Sequence, residues 1–214
     1  MFVFTNPILP GKTSDLIANL SQEEIHDCEI WVQTLCNKDY LVTRLNSDDS
    51  KNALSKMNYP KEMQSSYQKF CVQDLNNPES LPKMECIADY FYPNRQGEIL
   101  YRCAFAYPLL PGMELKQKQF SQSCREGHLQ KEFEEWSEIY QFRRHIKWIQ
   151  KSSWGLFATC YQEFFTDPNK LEELLNNCPS WHLLVSNLEE QTGLKDKELD
   201  FELQSIIAHI PCYN

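Results

Sequence analysis

The feature that most constrains this chain is a pattern written twice. Asn6-Pro7-Ile8-Leu9-Pro10-Gly11 recurs as Tyr107-Pro108-Leu109-Leu110-Pro111-Gly112, an offset of 101 residues, each time after an apolar run. Trp31-Val32-Gln33 recurs as Trp148-Ile149-Gln150 at an offset of 117, and the same 117 relates Met84-Glu85-Cys86 to Phe201-Glu202-Leu203. One insertion of 16 residues, the difference between the offsets, accounts for the change. A half-chain period lies far outside the roughly 20 to 50 residues of stacked repeats, so it predicts two like units rather than a solenoid.

The insertion falls between the Pro-Gly turn and the Trp strand, where both copies read as helix. Pro10 and Gly11 set the turn before the first helix, with Thr13 or Ser14 as its N-cap. In the second copy Leu129, Phe133, Trp136 and Tyr140 stand at helical spacing and predict one continuous helix over about 114–143. Glu132, Glu134 and Glu135 solvate it, and Arg143 and Arg144 sit near its C-terminal end, where the helix dipole favours them. Two strands follow in each copy, 29–35 and 39–45, then 145–151 and 156–163, with hairpin-length connections. A broken helical stretch comes next, 50–57 and 60–75, matched by 169–177 and 179–192; Met63, Tyr67, Phe70 and Leu75 are spaced for one buried face. A strand closes each copy, 85–92 and 201–209.

The order β-α-β-β-α-β is the ferredoxin-like unit. The chain therefore reads as an α+β protein of two tandem ferredoxin-like repeats, 1–94 and 98–214, the second with an extended first helix. A four-stranded sheet with both helices on one face leaves its other face to be covered. The strands around Tyr40 and Tyr107 are too apolar to meet water on both faces, so sheet is expected to pack on sheet.

Pro7-Ile8-Leu9-Pro10-Gly11-Lys12-Thr13, Trp31-Val32-Gln33, the strand leading into Asp48-Asp49, and Asp74-Leu75-Asn76-Asn77-Pro78 together resemble small bacterial proteins of the dimeric α/β-barrel superfamily, related to antibiotic-biosynthesis-monooxygenase-like domains. The resemblance spans nearly all of the first copy and is weaker in the second, where Met113-Glu114 replace Lys-Thr and the acidic turn is only Asp167-Pro168. It implies two units packed as a barrel, formed here within one monomer as an internal pseudo-dimer. It also implies a small apolar organic ligand and a cofactor-independent monooxygenase or isomerase, although fold by itself does not set function.

Charge and composition remove other classes. With 21 Lys+Arg against 30 Asp+Glu the net charge is -9, the wrong sign for a phosphate-backbone binder, so no nucleic acid is expected. The six glycines are too scattered for a dinucleotide fingerprint, a complete P-loop or a nucleophile elbow. Gly11-Lys12-Thr13 looks like the end of a P-loop, but Asn6 stands where glycine is needed and Pro7 and Pro10 remove cradling amides. Nine scattered cysteines with no CxxC pair suit a reduced, cytoplasmic chain. No apolar run approaches the roughly 20 residues of a membrane span.

Trp31 and Gln33 share one strand face, as do Trp148 and Gln150, because side chains alternate. An aromatic wall with one amide suits a small ligand; packed tryptophans with backbone-paired amides are the other reading. Arg44 and Glu163 on the neighbouring strands add polar groups. The candidate ligand-binding set is Asn6, Trp31, Gln33, Arg44, Trp148 and Gln150. Asn6 faces Tyr107 and Arg44 faces Tyr161 across the repeat, which predicts at most one working pocket, between sheet and helices.

Haem-degrading members of the superfamily use a strand Asn, a Trp and a helical His. Here Asn6 lacks the His, and His182 beside Trp181 lacks the Asn, so no cofactor is expected. Cys124 and His128 have a metal-sharing spacing but no second pair, so no metal is expected either. His26, His145 and His209 stand alone, which leaves catalytic residues unassigned. A non-catalytic protein-interaction scaffold is the alternative function, and haem binding a third.

Overall fold

The computed structural model describes residues 1–22, 28–45, 66, 68–72, 82–167, 170, 179–195 and 206–211. In chain order these form β1 (Phe2–Pro7), α1 (Thr13–Leu20), β2 (Cys28–Leu35), β3 (Lys38–Leu45), β4 (Lys83–Phe91), β5 (Tyr101–Pro108), α2 (Glu114–Glu126), α3 (Gln130–Tyr140), β6 (Phe142–Ser152), β7 (Gly155–Phe164), α4 (Pro179–Thr192) and β8 (Ile206–Ile210). His26, Asp48-Asp49, the 50–57 helix, Met63, Tyr67, Leu75, the Asp74–Pro78 motif and Phe201-Glu202-Leu203 lie outside the described residues.

The strands make two four-stranded antiparallel sheets, ordered β1-β3-β2-β8 and β4-β6-β7-β5. Cys36 and Asn37, at φ 52° and 59°, form the two-residue turn between β2 and β3, the left-handed pair that matches the strands' own twist. Three strands of each sheet keep one register. Thr5 lies opposite Val42 as Ala106 lies opposite Thr159, and Trp31 lies opposite Val42 as Trp148 lies opposite Thr159, at the offsets of 101 and 117.

The closing strands depart from the sequence expectation in two ways. Each joins the other sheet, β4 pairing with β6 and β8 with β2. Strands β2 and β6 are buried along most of their length, so each needs a neighbour on both sides, and the exchanged strand covers the edge that would otherwise stay open. The register also slips. Cys86 is opposite Trp148 while His209 is opposite Trp31, so the closing strands are related by 123 residues rather than 117.

The sheets pack face to face and are clasped by side chains reaching to the opposite backbone. The Gln150 amide accepts from Thr5 N–H and donates to Thr5 C=O, both at 2.8 Å. Gln33 accepts from Ala106 N–H at 2.8 Å, and Thr159 Oγ1 donates to Val3 C=O at 2.8 Å. Trp31 meets Tyr161 edge-on at 6.4 Å and Tyr40 meets Phe157 at 5.6 Å.

Helices α2, α3 and α4 pack against one another and cover the outer face of the second sheet. The long helix expected over 114–143 is broken: α2 ends at Glu126, α3 begins at Gln130, and Tyr140 closes it before Gln141 turns left-handed at φ 51°. Gly127 makes the break tight, since a Cβ there would lie 2.6 Å from Ser123 Cα. The apolar stripe survives the break, with Leu129, Phe133, Trp136 and Tyr140 all buried. Arg143 and Arg144 consequently stand on β6 rather than on a helix end, and Arg144 grips Asp89 through bonds of 3.0 and 2.8 Å. At α1 the N-cap position is Lys12, while the Thr13 hydroxyl bonds the Asp39 carboxylate instead. No described helix is long and apolar enough to cross a membrane.

Candidate functional site

Strand β6 presents two different faces. Its Trp148 and Gln150 point toward the first sheet, and its His145 and Lys147, one step out of phase, point toward the helices. Both are buried, at 3% and 8% exposure. They line a cavity with Tyr90 of β4, Phe105 and Tyr107 of β5, Cys160 of β7, Phe120, Ser121 and Cys124 of α2, Phe133 and Trp136 of α3, and Leu184 and Leu188 of α4. Counted with the open solvent at its mouth it holds about 440 Å³ of unfilled space, of which about 30 Å³ admits the centres of water-sized spheres. As packed, the cavity has room for roughly one or two water molecules.

His145 is held by a chain of hydrogen bonds. Gln162 Oε1 lies 3.5 Å from the Cys103 thiol, which donates to it, and Gln162 Nε2 lies 3.0 Å from His145 Nδ1. With the amide oxygen engaged, Nδ1 accepts from the amide, and the imidazole proton is assigned to Nε2. That Nε2–H is buried without a hydrogen-bond partner. Around it stand the edges and faces of Phe142, Tyr90, Phe133 and Trp136, at 5.6 to 5.9 Å between ring centres. Burial first, and the Lys147 charge second, push the imidazole well below its usual 6.5, so it is neutral near pH 7.

Lys147 has an aromatic cage rather than a counter-ion. Its Nζ lies 5.3 Å from the Phe120 ring centre and 5.9 Å from that of Tyr107, and among the described residues no carboxylate forms an ion pair with it. The Ser121 hydroxyl is also buried and unpartnered. Tyr90 donates its phenol to Ser121 C=O at 2.6 Å, and burial pushes that phenol far above its ordinary range. Burial likewise raises the Cys124 thiol to about 11, leaving it protonated and a poor nucleophile near neutral pH.

The same positions in the first sheet are different. At offsets of 117 and 101 the counterparts of His145, Lys147 and Tyr107 are Cys28, Ile30 and Asn6. The cation and the imidazole belong to the second sheet alone. A wider cleft with about 980 Å³ of unfilled space, solvent at its mouth included, opens elsewhere, between the Pro7–Gly11 turn and Trp154, over Tyr40 and Phe157.

No family model matches this sequence, and no curated protein does. Three solved structures resemble the fold. An anthrone oxidase-like protein is 13% identical at a TM-score of 0.48, over 90% of this chain and 86% of its own. A proposed monooxygenase from Fusobacterium nucleatum is 7% identical at 0.43, over 97% and 87%. One from Lactobacillus acidophilus is 8% identical at 0.39, over 97% and 89%.

The residues singled out from sequence lie mostly between the sheets. Trp31 is fully buried and stacks on His209 at 4.9 Å, Trp148 is 4% exposed, and the Gln33 and Gln150 amides are engaged by backbone. Arg44 pairs with Glu29 at 2.9 Å and lies 5.1 Å from the Tyr161 ring, whose hydroxyl donates to Glu163 at 2.9 Å. Glu29 also meets His209 at 2.8 Å; burial opposes its charge, but these partners hold the carboxyl below its ordinary value. Asn6 is buried on the helix side of β1. Cys124 and His128 are separated by the Gly127 break, one buried and one exposed, and no three metal-ligating side chains converge among the described residues. The side chains of Trp181 and His182 are outside the described set.

Lys147 went unnoticed in the sequence and His145 was read as a lone histidine. The available signal was their spacing, two polar residues on alternate positions of a strand otherwise buried on both faces. Sequence does not reveal that α2, α3 and α4 close over that face.

Proposed function

We propose that this chain binds a small, largely apolar aromatic molecule in the cavity between the second sheet and α2, α3 and α4. We further propose that 1–94 and 98–214 are diverged copies of one monooxygenase-like α/β-barrel unit, joined so that a single chain supplies the pseudo-dimer. The shared registers and the matching clasps, Gln33 on Ala106 and Gln150 on Thr5, support this. The positions of His145 and Lys147 are taken by Cys28 and Ile30 in the first copy.

The observation that carries the ligand reading is the buried, unpartnered His145 Nε2–H in a wall of aromatic rings. Leaving such a donor unsatisfied costs about 1–3 kcal/mol, which a ligand acceptor recovers. Trp136 in the wall is a built-in reporter. In a fluorescence titration, 2-acetonaphthone, which carries one acceptor, should bind about tenfold more weakly to His145→Phe than to the parent, while naphthalene binds both alike. Equal loss for both probes, or no quenching of the parent, refutes the reading. Aromatic walls that exclude water around a neutral imidazole also suit cofactor-free reaction of a bound substrate with dioxygen. An oxygen electrode with enolisable aromatic ketones tests that second reading.

A further inference from the structure

The cavity's polar groups are all of one kind. Lys147 Nζ offers three N–H, His145 Nε2 offers one, and the Ser121 hydroxyl offers one, while no Asp or Glu lines the space. The hydroxyls of Tyr90 and Tyr107 are already turned to Ser121 C=O and Gln117 Oε1. Glu132 on α3, whose Oε2 is buried without a hydrogen-bond partner, acts on Cys124 but does not line the cavity. Among the described residues the Lys147 ammonium meets ring faces and no carboxylate, and a charged acceptor brought by a ligand would pair with it beside the two neutral donors.

We propose that the ligand of this cavity is a carboxylate, its anionic head set against Lys147, His145 and Ser121 and its apolar body among the aromatic rings. Recognition is confined to the second copy, because Ile30 stands where Lys147 stands and Cys28 where His145 stands. The inference rests on the ligand-binding reading above, and the test separates the two.

Calorimetric titration of the intact chain with benzoate, benzamide and acetate distinguishes an aromatic acid from a bare carboxylate. Benzoate is expected to bind at least about tenfold tighter than benzamide, and Lys147→Met should bring the two within about twofold while keeping the affinity for benzamide. Lys147→Arg, which retains the charge, should keep the preference for benzoate, and Lys147→Gln replaces Lys147→Met if circular dichroism shows that variant unfolded. Acetate binding as tightly as benzoate would support the carboxylate and overturn the aromatic body. Equal affinity for benzoate and benzamide in the parent would overturn the carboxylate while the ligand-binding reading stood. No binding of any of the three would overturn both.

Discussion

Gln150→Met is the sharpest test of how the two sheets are held. Methionine keeps nearly the volume of glutamine and suits a buried position, so packing changes little. What disappears is the pair of 2.8 Å bonds to the N–H and C=O of Thr5, a residue with no exposure at all. Both peptide groups then lose their partner in a dry interface. Leaving two buried peptide groups unpaired costs about 1–3 kcal/mol each, roughly 2–6 kcal/mol in all. For a chain of this length each kcal/mol moves Tm by about 2–4 °C, so a fall on the order of 10 °C is expected. Urea unfolding of parent and variant, read by circular dichroism and tryptophan fluorescence together, gives the difference directly provided the m-value is unchanged. A Gln150→Met loss below about 1 kcal/mol would refute the view that the amide fastens the sheets.

Two further outcomes follow from burial and close approach. His145 is neutral when folded and titrates near 6.5 when unfolded, so below about pH 6.5 the unfolded chain binds the extra proton and stability falls, by up to about 1.4 kcal/mol per pH unit, as pH drops toward the folded value. His145→Phe should remove that part of the slope in urea midpoints measured between pH 7.5 and 5, and an unchanged slope would show that the imidazole is not held neutral. Gly127→Ala should destabilise by about 1–3 kcal/mol, because its Cβ meets Ser123 Cα at 2.6 Å and the α2–α3 break must open to admit it. A melting temperature equal to the parent's would place the break elsewhere.

Much of the local architecture was legible in the chain itself. Alternation and turn residues located the strands and the β2–β3 hairpin, because period-two burial and a two-residue turn leave local marks. The stripe of Leu129, Phe133, Trp136 and Tyr140 announced a helix packed on a core. The repeat located equivalent positions, down to the two glutamines that clasp the opposite backbone. Backbone pairing of those glutamines was one of two readings that sequence left open, since an amide's partner is a matter of distance.

Tertiary structure alone decided which sheet each closing strand joins, because β4 and β8 carry similar strand signals wherever they dock, and the deciding term is the open edge of β2 or β6. It decided the break at Gly127, which depends on how close one backbone comes to another. Above all it decided the cavity. His145 and Lys147 are two unremarkable letters until three helices bury them among aromatic rings from four other elements, where the histidine becomes an unpaired donor and the lysine a charge that meets rings and, among the described residues, no carboxylate. Sequence determines what each residue can offer, and only the packed molecule determines what has been left unanswered.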